Sequence, residues 1–299
     1  MLKTILYIFA YGFCLFFVLK FIIEGNFYIP EIQHKYFIII SLIFLVLGFI
    51  LNALTWYSVI NLEKNLIKKS DAIISVGLSI FGKYLPGKIW MILGRAKYIS
   101  NWYKIPLSQL IILSLDTQII TILVGLFLGG FGLLLSGLDG YGMLILLGGV
   151  GLTLFLSVDF FHTLLGSILN FFKLKSFKVR RLNFLEILKV FPFAILSWGF
   201  WSLGFYFLSV SIYGTELSTS TMGLIFSLAS VIGVVSVFSP GGLGVREGVL
   251  LAYLTFINWE KSDAISLVIV SRFWFLFGEC FIFFLALLFF HLFHHGKSK

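Results

Sequence analysis

The chain has 299 residues, of which 60% are hydrophobic and 12% charged, against roughly 25% charged in an average soluble protein. Its formal net charge is +9 and its mean hydropathy +1.05. This composition excludes a disordered chain, a disulfide scaffold and an ordinary soluble enzyme.

A membrane-spanning helix needs about 20 mostly apolar residues. Six segments supply them, at about 4–23, 37–59, 107–135, 141–161, 190–210 and 264–290. The first follows Lys3, lacks a small-x-small cleavage site and is long enough to span, so it reads as an uncleaved helix. Between the second and third spans, the apolar stretch 71–93 is broken at Leu85-Pro86-Gly87-Lys88. Between the fifth and sixth, the stretch 219–257 is broken at Ser239-Pro240-Gly241-Gly242-Leu243-Gly244. Proline removes a donor and blocks the helix behind it, and glycine permits a sharp reversal. Each stretch therefore reads as two half-helices joined by irregular backbone, which is tolerated at membrane depth only inside protein or beside water. The expected fold is an all-α polytopic integral membrane bundle: about six spanning helices and two re-entrant hairpins in a single transmembrane domain, 1–299.

The basic residues set the orientation, because Lys and Arg hold loops in the cytoplasm. With both termini cytoplasmic, that side holds Lys3, Lys64, Lys68 and Lys69. It also holds the first hairpin's Lys83, Lys88 and Arg95 and the loop of Lys173, Lys175, Lys178, Arg180, Arg181 and Lys189. The outer side keeps Lys20, Lys35 and Lys261. The positive charge is thus topological, and no nucleic-acid partner is expected. Each half, about 1–138 and 139–299, then contains two spans, one broken hairpin and a further span, with opposite orientation. This is the pattern of an inverted-topology repeat. Cys14 and Cys280 lie in apolar runs and read as small apolar residues rather than a disulfide. Gly125-x-x-x-Gly129 and Gly148-Gly149-x-Gly151 read as sites of close helix packing.

The segment Ser239-Pro240-Gly241-Gly242-Leu243-Gly244-Val245-Arg246-Glu247-Gly248 carries the strongest chemical signal. Gly241, Gly242 and Gly244 leave backbone N–H groups unobstructed, and a half-helix beginning near Val245 points its positive end at the break. Arg246 adds a planar cation suited to bidentate contact with phosphate or carboxylate. A charge at membrane depth costs at least about 2.5–3.5 kcal/mol, which favours a functional anion site over a plain structural turn. Glu247 balances Arg246 when the site is empty, although adjacent helical residues do not face each other. The matching first-half element is Gly82-Lys83-Tyr84-Leu85-Pro86-Gly87-Lys88-Ile89-Trp90, followed by Arg95. Its spacing imitates a phosphate-binding loop, but Ile89 stands where Ser or Thr should hold magnesium, so nucleotide hydrolysis is rejected. Lys83, Lys88 and Arg95 either attract lipid head groups or act as snorkelling anchors. The other intramembrane ionisable residues are Asp116, Arg272 and Glu279. Arg272 and Glu279 share a helix face and are expected to meet Glu247 and Arg246, or Asp116, across helix interfaces. A structural ion network and a substrate or proton path both fit that arrangement. His291, His294 and His295 read as an interfacial end rather than metal ligands, and no cofactor is expected.

Tyr84-Leu85-Pro86-Gly87-Lys88-Ile89-Trp90 through Gly94-Arg95, then Ser239 to Glu247, resemble in their order the lysylphosphatidylglycerol synthase transmembrane, or flippase-like, family. The resemblance implies a membrane domain that moves lipids between leaflets. It marks Arg246, Glu247, Pro86, Gly87 and Arg95 as family-type positions. The family's lipid-modifying members attach lysine to phosphatidylglycerol with a separate cytosolic domain, which is not expected here, so the lipid-handling part is carried over and the synthase activity is not. The expectation is a non-enzymatic protein that binds and translocates an anionic or phosphate-linked lipid, either an aminoacyl-phospholipid or a polyprenyl-linked glycolipid. Its partners would be membrane lipids and a separately encoded lipid-modifying enzyme, and a homo-oligomer stays open. Two other readings are an intramembrane transferase with Asp116, Glu247 or Glu279 as base, and a scaffold for that partner enzyme.

Overall fold

Residues 28–62, 66–85, 89–157, 184–236 and 239–294 are described in a computed structural model, and every regular element in them is helical. The elements are α1 (Lys35–Ile60), α2 (Lys69–Ser79), α3 (Ile89–Tyr103), α4 (Leu107–Leu135), α5 (Asp139–Ser157), α6 (Phe184–Leu217), α7 (Ser220–Val235), α8 (Val245–Phe256) and α9 (Lys261–His294). Two short 3-10 turns, Ile80–Tyr84 and Pro240–Gly242, follow α2 and precede α8. The expected span 4–23, Cys14, Pro86, Gly87, Lys88 and His295 lie outside the described residues.

Among the described residues, four helices, α1, α4, α6 and α9, are long and apolar enough to cross a membrane. The expected span at 141–161 corresponds to the shorter helix α5, whose apolar part is Asp139–Thr153. The span expected at 190–210 begins earlier, because Pro192 lies inside α6 without ending it, and continues to Leu217 across a kink at Gly214. In a packed apolar bundle, neighbouring helices can satisfy the carbonyl that a proline frees.

Helix α1 is apolar on every side, so its sequence has no polar face to mark the outside. Its buried positions nevertheless form one stripe that recurs every three or four residues, through Ser41, Leu45, Gly48-Phe49, Ala53, Thr55-Trp56 and Val59-Ile60. The small residues among them set the interface. Ser41 Oγ donates to the Gly204 carbonyl at 2.6 Å, and a Cβ on Gly48 would lie 2.4 Å from the Trp201 ring. Close backbone approach at small residues is how helices associate where burial of oily surface offers no drive. The opposite face, with Tyr36, Ile39 and Ile43, is exposed, as are Phe273, Phe277, Phe284 and Leu288 of α9. Bare apolar surface on this scale fits contact with hydrocarbon.

The packing has an internal exchange relation. Helix α1 packs on α2 as α6 packs on α7, and α3 packs on α4 as α8 packs on α9. Helix α9 lies against α2 as α4 lies against α7, while α1 and α6 run along each other. The α4–α7 contact is close because a Cβ on Gly129 would lie 2.3 Å from Leu228 Cβ, and one on Gly125 2.4 Å from Val231. In the second glycine cluster only Gly149 packs closely, where a Cβ would crowd Phe127 of α4 at 3.3 Å. A Cβ on Gly148 or Gly151 would meet nothing within 4 Å. Helix α5 packs chiefly on α4, so Gly148 and Gly151 face away from the bundle.

The ends of the two broken elements are tied at opposite ends of α4. At one end, Asn61 Oδ1 accepts from the Leu66 and Ile67 N–H groups at 2.6 and 3.0 Å, and the Lys68 N–H donates to Tyr103 OH at 3.2 Å. Tyr103 in turn donates to Asp71. Burial, and then this hydrogen bond, push the Tyr103 phenol up to about 12. Helix α4 starts just beyond Tyr103, and its 29 residues run about 43 Å. At its far end Ser136 Oγ shares a 2.8 Å hydrogen bond with Tyr253 OH, which shares another of 2.8 Å with Thr221 Oγ1. So α2–α3 opens at one end of the bundle and α7–α8 at the other.

Candidate functional site

The two interruptions meet inside the bundle. The first 3-10 turn delivers Lys83 and Tyr84. The second runs through Gly241 and Gly242 at φ +59° and +73°, and Gly244 follows at +81°. These are left-handed values that favour glycine. Without a side chain at Gly241, the Tyr84 ring rests on the backbone, and a Cβ there would lie 2.4 Å from the ring.

Helix α9 binds both turns. Arg272 Nη1 donates to the Gly241 carbonyl at 3.1 Å, and its Nη2 donates to Tyr84 OH at 3.3 Å. Two turns further along, Glu279 is 1% exposed. Its Oε2 accepts from Tyr84 OH at 2.8 Å, and its Oε1 pairs with Lys83 Nζ.

Helix α8 supplies the remaining charges. Glu247 Oε2 accepts from the Gly244 N–H at 2.8 Å, closing the first turn as an N-terminal cap. Its Oε1 lies 3.3 Å from Arg246 Nε and 3.6 Å from Arg272 Nη1. Arg246 and Glu247 thus do approach each other, contrary to the expectation for neighbours on a helix. The cap curls Glu247 back over the first turn, where Arg246 also reaches. The contact is ionic without hydrogen-bond geometry: Arg246 Nε and Glu247 Oε1 are both buried and lack a hydrogen-bond partner. Arg246 Nη2 donates to Ser271 Oγ at 3.4 Å, and its Cζ sits 5.4 and 5.5 Å from the Phe226 and Phe275 ring centroids. Among the described residues the cluster therefore holds three cations, Lys83, Arg246 and Arg272, against two carboxylates, Glu247 and Glu279.

Not every expected residue joins it. Arg95 is buried elsewhere on α3, donating through Nε and Nη2 to Ser114 Oγ and the Ser114 carbonyl, both at 2.5 Å, and stacking over Trp56 at 4.9 Å. Arg95 and Arg246 thus share a plan, each held by a serine of the long helix that follows. Asp116 is buried with Oδ2 unpartnered, and it makes no ion pair among the described residues. The expected meeting of Arg272 or Glu279 with Asp116 is not seen; their partners are Glu247, Lys83 and Tyr84. Pro86, Gly87 and Lys88 fall outside the described residues.

Sequence reasoning set Lys83 at the cytoplasmic face and gave no role to Tyr84, Ser271, Phe226 or Phe275. The signal for Lys83 was a lysine within an apolar stretch just ahead of a Pro-Gly break. The aromatic residues carry no such signal among 36 Phe and 12 Tyr. Among the described residues, no three of His, Cys, Asp and Glu gather as a metal site requires. Comparison with protein-family models, curated proteins and solved structures finds no match to this chain.

Proposed function

We propose that this chain is a flippase-like membrane protein that binds an anionic or phosphate-linked lipid and moves it between leaflets. The observation that carries the reading is the buried cluster where the two broken elements meet, with cations in excess of carboxylates. Taking a charge out of water is costly, so an excess of cations, with Arg246 buried and Lys83 and Arg272 partly buried, favours a site for an incoming anion. The start of α8 adds the positive end of a helix, although the Gly242, Leu243 and Gly244 N–H groups are already taken by Ser239, Pro240 and Glu247. Acyl chains would stay in the bilayer, beside the exposed apolar faces of α1 and α9.

In this reading the chain has about six spans and two re-entrant hairpins, with both termini cytoplasmic. The halves form an inverted repeat, as in transporters whose substrate lies at the repeat interface. The exchange relation in the packing and the opposite openings of α2–α3 and α7–α8 support it. Rocking of one half against the other would expose the cluster alternately to each side. The likeness of the two Pro-Gly segments to the lysylphosphatidylglycerol synthase transmembrane family points the same way. Aminoacyl-phospholipids and polyprenyl-linked glycolipids are the two candidate cargoes, and a separately encoded lipid-modifying enzyme is the candidate partner.

Transbilayer movement of a labelled anionic lipid in reconstituted vesicles tests the proposal. Arg246→Ala lowers the rate while the protein still expresses and reconstitutes. An unchanged rate would remove Arg246 from the site, and conversion of the lipid to a new product would favour a transferase instead.

A further inference from the structure

We propose that the cluster takes the singly charged phosphodiester of a lipid head group, with Glu247 Oε1 yielding its position between Arg246 and Arg272 to a phosphate oxygen. This inference rests on the lipid-binding reading above and narrows it.

Two observations carry it. The first is the state of Glu247. Its Oε1 occupies the point that both arginines face, 3.3 Å from Arg246 Nε and 3.6 Å from Arg272 Nη1, yet it forms no hydrogen bond there. Arg246, 4% exposed, is left with an unpartnered Nε donor. The carboxylate, tethered by its other oxygen to the Gly244 N–H, aligns with neither guanidinium group. A phosphate oxygen free of that tether can align with both, and arginine's planar fork is suited to it. Glu247 then swings aside on its Oε2 anchor without leaving the cluster.

The second observation is the charge that remains. Glu279 is committed on both oxygens, to Lys83 and to Tyr84, and acts as a fixed counter-charge. Glu247 stays within the cluster through the cap. Among the described residues, Lys83, Arg246 and Arg272 therefore exceed the carboxylates by one. A phosphodiester, with one negative charge, neutralises the cluster. A phosphomonoester or pyrophosphate brings a second charge, which would stay buried and unpaired, a costly arrangement. The geometry thus selects diester over monoester by charge, not by head-group shape.

The test is a titration of the purified full-length protein in detergent with three lipids of identical acyl chains, read by native mass spectrometry. Phosphatidylglycerol supplies the diester, phosphatidic acid the monoester, and phosphatidylcholine a diester cancelled by its ammonium. The measurement is made near about pH 8, where a phosphomonoester carries close to two charges. The expected result is phosphatidylglycerol bound at least about tenfold more tightly than phosphatidic acid. Glu247→Gln keeps an oxygen for the Gly244 N–H, raises the excess to two charges and shifts the preference toward phosphatidic acid. Phosphatidic acid bound as tightly as phosphatidylglycerol by the unmodified protein would overturn the charge rule, whatever the variant does. Glycerophosphoglycerol competing as strongly as the intact lipid would overturn a lipid as the source of the diester. A different pattern marks failure of the underlying reading: no preference for either anionic lipid over phosphatidylcholine, and no effect of Arg246→Ala.

Discussion

The phenol ring of Tyr84 lies on the bare backbone of Gly241, joining two turns from distant parts of the chain. A Cβ at Gly241 would reach within 2.4 Å of the ring, and its φ of +59° is left-handed. Gly241→Ala therefore meets both strain and collision. Gly244, at φ +81°, has open space where a Cβ would go, so Gly244→Ala meets strain alone. Strain of this kind costs about 1–3 kcal/mol. Thermal unfolding in detergent should rank Gly241→Ala below Gly244→Ala, and Gly244→Ala below the unmodified protein.

The Lys83–Glu279 pair gives a prediction that separates stability from transport. Removing one partner of a buried pair leaves an uncompensated charge, at a cost of about 3–5 kcal/mol, whereas replacing both by apolar residues is often neutral. Glu279→Gln should lower the unfolding midpoint strongly. Lys83→Met combined with Glu279→Leu should recover most of it. If the cluster handles lipid, the double variant still moves lipid poorly in vesicles despite its restored midpoint.

The helix contacts predict a contrast between two glycines. Gly129→Val forces α4 away from Leu228 of α7 and should destabilise by about 1–3 kcal/mol, as overpacking does. Gly148→Ala enters open space on the outer face of α5 and should change stability by less than about 0.5 kcal/mol. Equal effects at the two positions would contradict the described packing.

Alkaline pH tests the contact that ties α2 to α3. The folded state raises the Tyr103 phenol from 10.0 to about 12, so it favours the neutral form. The corresponding stabilisation is complete below about pH 10 and is lost as the pH rises through about 12. Tyr103→Phe cannot ionise, so its midpoint should fall less over that window than that of the unmodified protein.

The sequence made some of this readable and hid the rest for identifiable reasons. Helix α4 matches its expected range, 107–135, because Pro106 and the Ser136-Gly137 pair bound an unbroken apolar run. Both interruptions were legible because Pro and Gly act locally. The half-helix after Gly244 was legible for the same reason. What each charged side chain would meet was not. Lys83 and Glu279 are 196 residues apart, and nothing local in either segment names the other. Periodicity gave little help, since α1 and α4 are apolar all round and no stripe marks their inner face. The inward stripe of α1 is marked instead by small residues such as Ser41, Gly48 and Ala53, a weaker signal than polarity. The Arg246–Glu247 approach was hidden because a cap overrides the usual facing rule in the first turn of a helix.

Because α9 is the helix that lies against α2, the chain is synthesised with a long interval between an arm and its cover. Lys83 emerges from the ribosome 196 residues before Glu279 does. During that interval the nascent chain carries Lys83 without the carboxylate it pairs with, on an arm that has only α1 and α3 as neighbours. The Lys83–Glu279 contact can therefore form only once α9 has been made, so the first arm is completed by the last helix described.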